Sequence, residues 1–319
     1  MNDNEGTRNF ETVHSEEPKA PKSGKPDPKK KISIAIFATV IAIVLLFCAV
    51  TITEIVYQTK GGKEEPANGD VEYVKIVKTS SDVNKGTLLL IDSADDMEFS
   101  PSVVSIRPSS DGDPYYIGTS NLPKDKLTSE AGRALKEMAE ALYEAKSVRF
   151  IVAYAYHSSP SDKYDAEHVL GTVVDLKQMT DESSGTYGQF EKDILSWLNK
   201  NCAKYGFINS FPNDTDSNYE HDEGASQRSI QFRYVGVAHA TYIANNDLTF
   251  EEYLSKIEKH TDEKPLSVKG ADGKNYSVYF VKAEDDKTSV NVPENYEYEI
   301  SGNNKNGFIV TVDLSKEAE

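Results

Sequence analysis

From Ile32 to Thr53 the chain is uncharged and mostly apolar, and beyond Val71 its apolar residues recur in short periodic bursts. The first run is long enough to cross a hydrocarbon layer, which takes roughly 20 residues of helix. The bursts predict a folded body. VEYVKIV from Val71 alternates like a strand, and Thr87 to Ile91 reads as a second one. Leu135, Met138, Ala139 and Leu142 fall at helical spacing in a helix over Leu127 to Lys146, capped by Thr128 or Ser129. Val148 to Tyr156 and Thr172 to Leu176 have the β-branched and apolar content of strands. A second helix is predicted over 188–205, with Ile194, Trp197, Leu198 and Cys202 on one face and Gly206 as its stop. Phe232 to Gly236 predicts a strand and Thr249 to Lys259 a short helix. Asn275 to Val281 and Tyr296 to Leu314 alternate as strands, with Ser301 to Gly307 as a turn. The fold class is α+β.

Composition divides the remainder. Residues 1–31 are polar and rich in Pro, Lys and Glu, the composition of a disordered tail. Residues 32–53 are the predicted transmembrane helix and 54–70 a flexible stalk. Lys19, Lys22, Lys25 and Lys29 to Lys31 precede the span, so the N-terminus is expected in the cytoplasm and the folded body outside the cell membrane, single-pass. A net charge of −17 excludes a nucleic-acid partner, which needs clustered Lys and Arg. Cys48 and Cys202 are the only cysteines, which excludes a disulfide framework and a cysteine-based zinc motif.

The chemistry concentrates in EHVLGTVVDL, Glu167 to Leu176. His168 on a loop and Asp175 on the following strand can converge on one metal ion, since zinc accepts imidazole nitrogen and carboxylate oxygen. By itself the pair is equally a loop histidine before an ordinary strand. Further segments add to it: WLNKNCAKYGF (Trp197 to Phe207), FRYVGVAHATYI (Phe232 to Ile243), LTFEEYL (Leu248 to Leu254) and YEISGNNKNGFIVTV near the C-terminus. With H-x-x-G-x-x-x-D at His168, Gly171 and Asp175, these resemble, in order, the VanY-type D-alanyl-D-alanine carboxypeptidases. The resemblance implies a zinc D,D-peptidase core over 71–262, built on a small antiparallel sheet with flanking helices. A β-rich appendage over 263–319 follows it.

The resemblance also implies site residues, and here the sequence departs from the family. His168 and Asp175 match the first two zinc ligands. The family's E-P-W-H, which supplies the general base and third ligand, is replaced by Arg228, Ser229, Ile230 and Gln231. Arg228 stands at the base position and cannot accept a proton; Gln231 stands at the ligand position with a neutral amide. His157, in YAYHS, stands where the family has an arginine that grips the substrate carboxylate, a fork that imidazole does not reproduce. The expectation is a pseudoenzyme with an incomplete zinc site, binding peptidoglycan stem peptides or an envelope protein. The alternative is an active zinc carboxypeptidase trimming terminal D-alanine, with His221 in the loop before Arg228 completing the ligand set.

Overall fold

The computed structural model describes residues 71–91, 100–108, 113–118, 125–158, 166–211 and 229–317. The predicted span at 32–53, His221 and Arg228 lie outside the described residues. Among those described, no helix is long and apolar enough to cross a membrane.

In chain order the first elements are strands β1 (Tyr73–Thr79), β2 (Val104–Ser105), β3 (Tyr115–Ile117) and β4 (Lys126–Leu127). Helix α1 (Ser129–Lys146) leads into β5 (Phe150–Tyr154), β6 (Val173–Asp181) and β7 (Thr186–Gly188). Helix α2 (Lys192–Asn201), β8 (Phe207–Asn209), β9 (Ile230–Tyr234), α3 (Val237–Asn246) and α4 (Phe250–Ile257) follow. The chain closes with β10 (Leu266–Lys269), β11 (Asn275–Lys282), β12 (Lys287–Pro293), β13 (Tyr296–Gly302) and β14 (Gly307–Glu317).

The central sheet runs β3-β5-β6-β9-β8, with β7 pairing the far end of β6. All its pairings are antiparallel except β3 with β5. One face is apolar: Phe150, Val152, Val174, Leu176 and Phe232 pack under Leu135, Met138, Ala139 and Leu142 of α1. That helix forms where its period demands, with Thr128 accepting from the Ala131 amide at its start and Ser147 in the left-handed region at its end. The expected second helix starts late, because Thr186–Gly188 pairs with β6 instead of coiling. It ends as predicted: a 3-10 turn over Cys202–Tyr205 stops at Gly206 (φ +77°), where a Cβ would lie 2.7 Å from the Tyr234 ring. Helix α3 carries no prediction from periodicity, since its short run Val237 to Asn246 mixes small apolar residues with polar ones such as His239 and Thr241 that are themselves buried.

The C-terminal strands form a second sheet, β10-β11-β14-β13, fully antiparallel. Its alternation serves two cores. Val278, Phe280 and Ile309 face Ala238, Ile243, Tyr253 and Ile257 of α3 and α4. Tyr279, Phe308 and Val310 face Val290 and Val292 of β12. Strand β1 pairs with β12 in register from Tyr73–Pro293 to Thr79–Lys287. The segment expected from residue 263 onward therefore shares a hydrophobic core with the helices before it, and the described residues from 71 onward belong to one compact unit. Two polar contacts cross that core. His239 of α3 is buried between Tyr253 of α4, whose hydroxyl meets Nδ1, and Thr311 of β14, whose Oγ1 is 2.8 Å from Nε2.

One prediction needs correcting. Thr87 to Ile91 forms no strand and joins no sheet. Its backbone groups are satisfied from other directions: Leu88 N donates to Ser301 Oγ, Leu90 N to the Asn303 carbonyl, and Asn304 Nδ2 donates to the Leu90 carbonyl. The Leu89 carbonyl accepts from Arg233 Nη2 at 2.6 Å, and the Thr87 carbonyl from the same nitrogen at 3.4 Å. Arg233 of β9 is 1% exposed, pairs with Glu167 Oε1 at 2.5 Å and lies 4.0 Å over the Phe250 ring. One side chain thus fastens β9 to the N-terminal segment, to α4 and to the turn bearing His168.

Two expected outcomes follow from these buried polar groups. Arg233→Met leaves Glu167 without its cation in a largely dry setting, and urea unfolding should show a loss of about 3–5 kcal/mol. The second concerns pH. Burial lowers the His239 pKa to about 3. An unfolded histidine takes up a proton below about 6.5, so the stability contributed by neutral His239 is complete above that pH and is lost as pH falls toward 3. Between pH 7 and 5 this amounts to about 2 kcal/mol. The loss should be absent in His239→Gln when the two proteins are unfolded in urea at both pH values.

Candidate functional site

The face of the central sheet opposite α1 is polar, and strand period decides what it presents. Asp175 is the third residue of β6. Its ladder partners are Tyr154 on β5 and Gln231 on β9, so the three side chains form a row across neighbouring strands. His168 reaches the row from outside the sheet. It lies in a 3-10 helix over Ala166–Leu170, not on an irregular loop as the sequence suggested. Gly171 (φ +67°) then turns the chain into β6; a Cβ there would lie 2.7 Å from the Val103 side chain. The Gly171 carbonyl accepts from the Thr128 amide, which ties the turn to the start of α1.

The result is a close pair. His168 Nε2 lies 3.4 Å from Asp175 Oδ1, with the two side chains 0% and 1% exposed. The His168 ring meets Tyr154 edge to face, centroids 4.4 Å apart. Tyr154 Oη is 3.0 Å from Nδ1 of His157, so His157 joins the site through the tyrosine. Glu167, next to His168, is held by Arg233, two residues beyond Gln231 on the same face of β9.

Three of the sequence-derived positions are thus brought together: His168, Asp175 and Gln231, with His157 one residue removed. Sequence reasoning gave no role to Tyr154, and it read Arg233 as structural without foreseeing its pairing with Glu167. Strand alternation held a signal for both, because Tyr154 and Arg233 fall on the same face as Asp175 once the β5–β6–β9 register is known.

Does this arrangement fit the zinc that the family likeness implies? Asp175 is buried with neither carboxylate oxygen hydrogen-bonded among the described residues. A buried carboxylate in that state calls for a cation, and with His168 it offers two donors suited to zinc. The third flank does not fit. Gln231 presents a carboxamide, and no group of three His, Cys, Asp or Glu side chains able to hold a metal occurs among the described residues. No step is therefore derived through a metal.

Beside the row lies a cavity of ≈ 650 Å³. Its polar side is Gln231, Arg233, Glu167, Asn209 and Ser210, and its apolar walls include Ile208, Phe211, Ile243, Leu248 and Phe250. Both amide atoms of Gln231, Ser210 Oγ and Arg233 Nε are buried without a hydrogen-bond partner among the described residues. That is the chemistry of a ligand pocket: apolar walls with a few convergent polar groups.

Known proteins resemble parts of this chain. The family model described as VanY, D-alanyl-D-alanine carboxypeptidase, matches residues 158–237, the block that carries His168, Asp175 and Gln231. A D-alanyl-D-alanine carboxypeptidase of Enterococcus faecium is 34% identical over 116 residues, covering 36% of this chain and 35% of that protein. One of Enterococcus faecalis (strain ATCC 700802 / V583) is 33% identical over 90 residues, covering 28% and 30%. The chain thus spans about a third of the length of the curated relatives it matches. Among solved structures, the vancomycin resistance D,D-dipeptidase VanXYg, in complex with a D-Ala-D-Ala phosphinate analog, superposes with a TM-score of 0.58. That likeness covers 76% of this chain and 99% of the other at 22% identity, and it is one of fold. Through residues 158–237, the chain is similar to the VanY-type D-alanyl-D-alanine carboxypeptidases.

Proposed function

We propose that this protein is a membrane-anchored, extracytoplasmic member of that family that binds peptidoglycan stem peptides, or an envelope protein, without cleaving them. The observation that carries the reading is the neighbour of Asp175. Where the family likeness calls for a histidine, β9 places Gln231 directly across from the carboxylate. A neutral amide is a weak zinc donor beside imidazole and carboxylate, so occupancy of the metal is undermined at its third ligand. Arg228, at the base position, stays protonated and cannot activate water; loss of a general base costs about 10² to 10⁴ in rate. The peptide ligand is carried over from relatives whose names state D-Ala-D-Ala chemistry. The tether is the apolar run at 32–53, with the cell-surface orientation given by its basic N-terminal flank.

One observation favours a second reading, an active zinc carboxypeptidase removing terminal D-alanine. Asp175 keeps a buried carboxylate 3.4 Å from His168, and a divalent cation held by both would satisfy it. Residues 221–228 would then supply what Gln231 does not. A single preparation separates the two. Purified protein equilibrated with zinc should hold less than stoichiometric metal by mass spectrometry, and should release no D-alanine from a D-Ala-D-Ala peptide. Stoichiometric zinc that disappears in His168→Ala, together with chelator-sensitive D-alanine release, establishes the active reading instead.

A further inference from the structure

We propose that Gln231 reads a peptide backbone: its carboxamide accepts from the N–H and donates to the C=O of one residue of an extended peptide bound in the adjoining cavity. The proposal rests on the stem-peptide reading above and specifies the ligand chemistry of that same site. In an extended chain the N–H and C=O of one residue point the same way, as in a hydrogen-bonded antiparallel pair. One carboxamide, with an acceptor and a donor side by side, matches both.

The side chain is placed for this. Gln231 is 4% exposed, lines the ≈ 650 Å³ cavity, and has neither Oε1 nor Nε2 hydrogen-bonded among the described residues. A buried amide in that state disfavours the fold unless a ligand completes it. Ser210 Oγ and Arg233 Nε, on the same cavity, stand in the same condition and extend the polar strip to a second peptide unit. The volume suits a short peptide, and the walls of Ile208, Phe211, Ile243 and Leu248 suit small apolar side chains.

Charge narrows the ligand further. Arg233 is neutralised by Glu167, and no other Lys, Arg or His is among the described lining residues. Glu251 adds a carboxylate at the rim. Among the described lining residues, a free C-terminal carboxylate finds no unmatched cation. The ligand is therefore an internal or amidated stretch of peptide rather than a free carboxyl terminus.

Calorimetric titration of the full chain with acetyl-D-Ala-D-Ala, as free acid and as C-terminal amide, tests this. The amide should bind at least as tightly as the acid. Gln231→Leu should weaken amide binding tenfold or more while leaving Tm unchanged or raised, because it removes an unsatisfied polar group and keeps the volume. If that variant does not fold, Gln231→Met, closer in shape, carries the same comparison. Unchanged affinity in the variant that folds, or an acid bound tenfold tighter than the amide, overturns the proposal and leaves stem-peptide binding standing. A wild-type chain that binds neither peptide overturns both.

Discussion

The structure turns on one buried cation. Arg233 sits in a place where a lone guanidinium would be prohibitive, and it is tolerated because Glu167, two backbone carbonyls and the Phe250 face surround it. Each of those partners belongs to a different part of the chain. Glu167 brings the turn that presents His168, the carbonyls bring the segment 87–91, and Phe250 brings the start of α4. The hairpin of β13 and β14 then grips that same segment through Ser301, Asn303 and Asn304. A contact chain thus runs from the C-terminal sheet to the neighbour of His168. The C-terminal strands help set the walls of the site although none of their side chains enters the His168–Asp175 pair.

Upon this frame the row Tyr154–Asp175–Gln231 fixes what the site can do. The backbone register holds the three positions whatever their side chains are, so the fold can survive a change of chemistry at any one of them. A histidine opposite Asp175 would complete a three-donor set with His168. A glutamine opposite Asp175 leaves two donors, His168 and Asp175, beside an amide on the wall of the adjoining cavity. The same scaffold then presents hydrogen-bonding groups where its relatives' motif calls for a metal ligand.

Much of this was legible in the chain itself, for physical reasons that can be named. The α1 helix showed its 3.6-residue period and its Thr128 cap, and the turn at Gly206 showed the one residue able to take a positive φ there. His168 and Asp175 were reached through motif spacing and Gln231 through the family resemblance, and β-ladder register brings the last two side by side. What stayed hidden depended on partners distant in sequence. Leu88 to Ile91 reads as a strand because it is apolar, yet its backbone bonds go to the side chains of Arg233, Ser301 and Asn304 and to the Asn303 carbonyl. Helix α3 is short and buries polar residues, His239 and Thr241, beside its apolar ones, which blurs its period. The Glu167–Arg233 pair spans 66 positions, and no local pattern announces it.

The account stands on the claim that the position across from Asp175 leaves the metal site short of a ligand. Anomalous scattering at the zinc absorption edge, from crystals of the protein grown with saturating zinc, addresses that claim directly. The account predicts no ordered zinc peak bridging His168 and Asp175. A strong peak there, with both side chains and a third protein donor in its coordination sphere, would contradict it.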